Sequence, residues 1–189
     1  MSDVEVDSRP DRSSVDAVSG YLLIISDRQA LGWILTTSRT AFSDPIRKEV
    51  RGLRPKDLLV LYTTRGCFKN PTRDRGRIVG QAEVVSEVTP SPEPLRFGER
   101  SFPYVCTLRL TALAPFGSGP ELAPHASSLN ALRPSGAGWA TRLRRSLMPL
   151  DEHDQSYLRS LPDYPTQRPT ATLKAPYARW VPQSGPPPR

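Results

Sequence analysis

Short apolar runs of strand length punctuate the chain, separated by polar stretches rich in turn residues. Tyr21-Leu22-Leu23-Ile24-Ile25 is continuously apolar and short enough for a strand buried on both faces. Asp57-Leu58-Leu59-Val60-Leu61-Tyr62 is a second run, introduced by the turn signal Arg54-Pro55-Lys56-Asp57. Arg77 to Ser86 is a third, with partial apolar/polar alternation from Val79 to Val85. Tyr104 to Leu113 alternates over most of its length, the pattern of a half-solvated strand. Helical spacing is predicted over Arg28 to Ser38, Ile46 to Leu53, Ala126 to Leu132 and Trp139 to Leu147. In the last of these, Trp139, Leu143 and Leu147 share one helical face. Asp151 opens a final helix, with Asp154 in its first turn and Tyr157, Leu158 and Leu161 facing inward. Strand, helices, three strands, helices is not a regular βα alternation, which argues against a doubly wound sheet. The pattern predicts an α+β fold: a mixed or antiparallel sheet curled into a small barrel, with helices at its side.

The same pattern sets the domain limits at residues 20–161. Residues 1–19 lack apolar periodicity and are expected to be disordered. From Pro162 to Arg189 the chain is proline-rich and is expected to be an extended tail without a core. Its aromatics, Tyr164, Tyr177 and Trp180, either pack on the domain or offer a short motif to a protein partner. A domain of this size buries an adequate core without disulfides or metal. Cys67 and Cys106 belong to no CxxC pair and have only His125 and His153 to join them, so no metal or cofactor is expected. The N-terminal stretch is acidic and polar, with no apolar segment of a secretory signal. The longest apolar run, Tyr21 to Ile25, is far short of a membrane span. A soluble, cytoplasmic protein is the expectation.

Charge sharpens the choice of partner. The net charge of +7 conceals an acidic start, since the first sixteen residues hold Asp3, Glu5, Asp7, Asp11 and Asp16 against two arginines. The remainder is more basic than the total, and its only lysines are Lys48, Lys56, Lys69 and Lys174. Arginine is the better bidentate phosphate ligand, and a positive field speeds encounter with polyanions. A GC-rich coding bias also raises arginine and proline, so composition by itself favours nucleic acid only modestly.

Order and spacing carry a more specific resemblance. Leu59-Val60-Leu61-Tyr62-Thr63-Thr64-Arg65-Gly66-Cys67-Phe68, followed by Asn70-Pro71-Thr72-Arg73-Asp74-Arg75-Gly76-Arg77 and Ile78-Val79-Gly80-Gln81-Ala82-Glu83-Val84, resembles the central strand, loop and "xVGxAEV" strand of EVE-domain proteins. Ile24-Ile25-Ser26 matches the early strand that ends in a small polar residue, and Trp33 or Phe42 the aromatic that follows it. Pro55-Lys56-Asp57 stands for the "GD"-like turn, with lysine in place of glycine. Trp139 to Leu147 and Asp151 to Leu158 are similar to a subset of bacterial members. The resemblance spans Tyr21 to Leu161. It implies a PUA-like pseudobarrel related to YTH and ASCH domains, with a modified base held among aromatic side chains and no catalytic activity. The long arginine-rich loop departs from eukaryotic relatives, so pocket residues do not transfer there.

Holding a flipped base requires aromatic faces and polar groups for its hydrogen-bonding edge. Trp33 is the stacking candidate, equally readable as a core tryptophan. Tyr62, Thr63 and Thr64 end the second strand, where they either line a pocket rim or simply pack. Ser26 and Asp27 end the first strand; Ser26 offers a hydroxyl to a base edge, while Asp27 is better suited to capping the helix that follows. Arg65, Lys69, Arg73, Arg75 and Arg77 form the sharpest basic cluster, with Asp74 their only acid, and are the candidates for backbone phosphates. Phe68 interleaves them. Arg142, Arg144 and Arg145 are expected to face solvent. No nucleophile elbow or glycine-rich phosphate loop is present, so a binding module is expected rather than an enzyme. A small-ligand or protein-interaction module on the same fold is the alternative.

Overall fold

The computed structural model describes residues 18–44, 47–70 and 72–181. Seven strands form one mixed sheet: β1 (Gly20–Ile25), β2 (Arg39–Phe42), β3 (Leu58–Thr63), β4 (Arg77–Val84), β5 (Thr89–Phe97), β6 (Arg100–Leu113) and β7 (Leu147–Leu150). Their order is β2-β6-β4-β3-β1-β7, with β5 also on β6. β1 and β3 are parallel, from Gly20 opposite Leu58 to Ile25 opposite Thr63; the remaining pairs are antiparallel. Helices α1 (Arg28–Thr37), α2 (Lys48–Gly52), α3 (Glu152–Arg159) and α4 (Ala171–Ala178) flank the sheet. Among the described residues no helix is long and apolar enough to cross a membrane.

The continuous apolar runs are explained by what lies on each side of the central pair. Tyr21, Leu23 and Ile25 of β1 point into one core with Leu59 and Leu61 of β3, under Leu31 and Leu35 of α1. Leu22 and Ile24, with Val60, point into a second core with Leu122, Leu129 and Leu158. A parallel pair covered on both faces needs apolar residues at every position. Each fully buried Leu or Ile contributes about 1.5–3 kcal/mol. β6 curls the sheet: its first half pairs with β2 and β5, its second with β4. Register shifts at Leu61/Tyr62 and Gln81/Ala82 bend β3 and β4 in the same region. The result is the expected α+β curled sheet with helices at its side.

Three expectations need correction. No α-helix forms from Trp139 to Leu147. Arg133–Arg144 is a 3-10 segment broken at Gly136, where φ is 47° and ψ is −129°. Leu147 instead begins β7, opposite Leu23 of β1. Pro134, Gly136 and Gly138 weaken an α-helix, whereas the open edge of β1 supplies hydrogen bonds to Leu147–Leu150. Ala126 to Leu132 is likewise replaced by a 3-10 turn over Ala123–Ser128. Finally, the domain does not stop at Leu161. Residues 162–181 pack on it, with Tyr177 buried and its hydroxyl donating to Ala114 O at 3.0 Å. Tyr164 donates to Gln81 Oε1 at 3.1 Å. Tyr164 and Tyr177 thus pack on the domain. Residues 182–189, and the expected disorder of residues 1–17, lie outside the described residues.

β5 was hidden by Pro90, Pro92 and Pro94. It is tolerated because β5 pairs on one side only, where a missing N–H faces away from the ladder.

Candidate functional site

β1 and β3 run in the same direction, so their C-terminal ends meet at one end of the sheet, where Thr64 N–H donates to Ile25 O at 2.9 Å. α1 starts there. Asp27 caps it, Oδ1 accepting from Gln29 N–H at 2.7 Å and Ala30 N–H at 3.3 Å. A cleft opens on each side of this helix start: Asp27 lines one and Arg28 the other.

The first cleft encloses about 540 Å³. Trp33 of α1 and Phe97 and Phe102 of the β5–β6 hairpin line it as one contiguous aromatic wall. The Trp33 and Phe97 rings lie 6.1 Å apart edge-on, and Phe97 and Phe102 5.6 Å apart. Trp33 is half-buried, packing against the core with one part and lining the cleft with another. Arg100 lies over the Phe102 ring at 5.4 Å and points Nη1 at Ser26 Oγ, 3.5 Å away. Arg144 and Arg145 close the rim, and Arg145 is paired with Glu49 at 3.0 Å. Arg144 and Arg145 are exposed, as expected, whereas Arg142 is half-buried, with its Nε shielded from solvent.

The second cleft, about 740 Å³, gathers Thr63, Thr64, Phe68, Arg73, Arg75 and Arg77 with Arg28, Phe116, Arg179 and Trp180. The candidate base-pocket residues are therefore divided. Ser26, Asp27 and Trp33 share the first cleft, whereas Thr63 and Thr64 turn to the second. Tyr62 reaches neither: it is buried in the second core, its hydroxyl against Gly76. Burial pushes the Tyr62 phenol up to about 12, so it stays neutral. Strand alternation sends Thr63 and Tyr62 to opposite faces, which separates them.

The phosphate candidates divide too. Arg73 and Arg75 are exposed on the second cleft, while Arg65 and Lys69 sit exposed on the loop and line neither cleft. Arg77 is engaged internally, donating Nη1 to Gly119 O at 2.8 Å and pairing with Glu121 at 3.0 Å. Asp74 shapes the loop, its Oδ2 accepting from Phe68 N–H at 3.1 Å and Asn70 N–H at 3.4 Å. Phe68 anchors it, 5.3 Å from Phe116 and 5.4 Å from Trp180.

The histidines and the carboxylates beside them contact one another. His125 Nδ1 lies 2.9 Å from the Tyr157 hydroxyl, and His153 stacks on the Tyr157 ring. Asp151, His153 and Asp154 lie close together, but Asp154 accepts from Asn130 N–H at 2.6 Å and Ala131 N–H at 2.9 Å. The backbone N–H of Asp154, which Asp151 accepts, holds the Asp151 carboxyl below its ordinary range. Cys67 and Cys106 are buried thiols, and burial pushes Cys106 up to about 12.

Sequence reasoning missed Phe97, Arg100, Phe102 and Arg144 at the first cleft, and Arg28, Phe116, Arg179 and Trp180 at the second. For the hairpin a signal existed: Gly98 sits between Phe97 and Phe102 with φ 61°, as a turn glycine does. For the second cleft none did, because its residues come from four distant segments.

No protein-family model matches the chain, and no curated protein sequence does. Solved structures with a similar fold include the Mmi1 YTH domain in complex with RNA, at TM-score 0.50 and 12% identity over 76% of each chain. A hypothetical protein from Leishmania major has TM-score 0.49 and 16% identity, over 76% of this chain and 93% of its own. Human THYN1, in complex with 5-methylcytosine-containing DNA, has TM-score 0.43 and 16% identity over 75% and 96%. Of these three the first alone reaches 0.50, and at 12% identity it speaks for the fold only. That fold, a curled mixed sheet with flanking helices, is the PUA-like pseudobarrel.

Proposed function

We propose that this chain is a nucleic-acid-binding module of the EVE type, without catalytic activity, that takes a flipped, modified base into the first cleft. One observation carries the reading: three aromatic rings, Trp33, Phe97 and Phe102, wall a 540 Å³ cleft whose rim carries Arg100 and Arg144. The volume lies within the range of about 300–1,000 Å³ usual for small-ligand pockets. Aromatic walls suit a base, whose π face every ring can meet, and rim guanidiniums suit the phosphates on either side of it. Ser26 offers its hydroxyl to the base edge, while Asp27 holds the helix start. Arg73 and Arg75 of the loop take phosphates further along the strand. A YTH domain of this fold has been solved with RNA, which supports the same class of partner here.

The test is a titration of the full chain with oligonucleotides carrying modified or unmodified bases at two salt concentrations. Binding should weaken steeply with salt. Trp33→Ala should erase discrimination between bases, a loss of about 1–3 kcal/mol. Arg100→Gln with Arg144→Gln should weaken all sequences alike. Absence of binding at low salt, or a Trp33→Ala variant that alters thermal stability alone, would overturn the reading.

A further inference from the structure

The second cleft holds more positive charge than its surroundings balance. Arg28, Arg73, Arg75, Arg77 and Arg179 face it, against Asp74. Arg77 is neutralised by Glu121. Asp74 has its Oδ2 turned to the Phe68 and Asn70 N–H groups. Among the described residues, Arg28, Arg73, Arg75 and Arg179 have no carboxylate within ion-pair distance. Five guanidiniums against Asp74 and Glu121 leave an excess of three positive charges around one concavity, which attracts an anion.

Two of the four without an ion pair are braced. The Arg179 guanidinium lies 3.9 Å from the centre of the Trp180 ring and 4.9 Å from that of Phe116. Arg28 lies 5.1 Å from the same Trp180 ring and places Nη1 3.5 Å from Phe68 O. A stacked guanidinium keeps its N–H edge available while losing the side-chain freedom that an anion would otherwise have to remove. The bracing rings are fixed in turn: Phe116 packs on buried Tyr177 at 5.2 Å, and Phe68 packs on Phe116. The C-terminal segment therefore completes the cleft, supplying Arg179 and Trp180 opposite the Arg73–Arg75 loop and the start of α1.

We infer that the second cleft is a phosphoryl-binding site, with Arg28 and Arg179 as its braced ligands and Arg73 and Arg75 as its exposed ones. The ligand is a phosphate group: either a phosphodiester of the strand whose base occupies the first cleft, or a free phosphate. The strand form depends on the nucleic-acid reading already proposed; the free form does not.

The experiment compares the full chain with the double variant Arg28→Gln, Arg179→Gln, using a short single-stranded oligonucleotide and, separately, inorganic phosphate. For the strand form, the variant should bind the oligonucleotide at least about tenfold more weakly. Its salt slope should fall by about 0.7–1.4, at about 0.7 for each phosphate of a single strand that is no longer neutralised. A purely structural role of these arginines would leave that slope unchanged. For the free form, phosphate should change Trp180 emission saturably in the parent protein, an effect that Trp180→Phe removes. Saturable phosphate binding without oligonucleotide binding would keep this site and refute the nucleic-acid reading. An unchanged salt slope together with no saturable phosphate response would overturn the site. Arg73→Gln with Arg75→Gln, both at exposed positions, supplies the same slope measurement should the first pair impair folding.

Discussion

Lys56 and Gly76 both hold left-handed backbone, φ 79° and 66°, at the start of β3 and just before β4. At Lys56 the turn is kept by its neighbour: Asp57 is buried, and its carboxylate accepts from Ser19 N–H at 2.9 Å and Arg54 N–H at 2.8 Å. A non-glycine residue in this region costs about 1–2 kcal/mol, partly offset by the greater chain entropy of glycine when unfolded. Lys56→Gly should therefore stabilise the fold by about 0.5–1 kcal/mol in urea denaturation. Gly76 shows the opposite case, because a Cβ there would lie 2.5 Å from the Tyr62 hydroxyl. Gly76→Ala should destabilise by about 1–3 kcal/mol in the same assay. Its effect should spread to the loop, since Gly76 O accepts from Leu122 N–H at 3.0 Å.

At the scale of elements, α4 is the one whose removal says most. It lies against α1 so closely that a Cβ on Gly32 would meet Tyr177 O at 2.9 Å. Tyr177 fills the first core and anchors its hydroxyl on Ala114 O. Tyr177→Ala should cost about 3–5 kcal/mol, against about 1 kcal/mol for Tyr177→Phe, by thermal or urea denaturation. Ending the chain at residue 169 should lower the melting temperature as strongly as Tyr177→Ala. The β5–β6 hairpin behaves differently, because Phe97 packs on Trp33 and Phe102 at the surface rather than in a core. Phe97→Ala should leave stability within about 1 kcal/mol while weakening oligonucleotide binding about tenfold.

The whole molecule has an alkaline limit set by buried thiols and phenols. Burial raises Tyr62 and Tyr164 from the ordinary 10 to about 12, and pushes Tyr177 up as well. A group whose folded pKa lies above its unfolded one supports the fold fully below the unfolded value, and that support is lost as pH rises through the folded value. Stability should accordingly hold to about pH 9, above which the buried thiols Cys67 and Cys106 begin to withdraw their support, and fall further between about 10 and 12 as the phenols do. At about 1.4 kcal/mol per unit of pKa, Tyr62 contributes roughly 2–3 kcal/mol to that fall. Tyr62→Phe should flatten the decline by that amount, measured as urea midpoints from pH 9 to 12.

What the sequence determined by itself was the inside of the sheet. The runs at β1 and β3, the alternation of β6 and the Asp27 and Asp151 caps are local signals, since each follows from the burial period or backbone hydrogen bonding of its own segment. Trp33, Ser26 and Asp27 were legible at the first cleft because they follow directly from the end of β1. The three-dimensional arrangement decided everything that depends on a partner far along the chain. β7 exists only because β1 offers it an open edge, and the proline-rich β5 only because β6 is long enough to hold one more strand. α4 helps hold the fold because Tyr177 finds a hole between α1 and β6, which no local pattern announces. The same holds for both clefts: Phe97 and Phe102 reach Trp33 across a hairpin, and Arg179 reaches Arg28 across about 150 residues of chain, a distance in sequence that only packing can close.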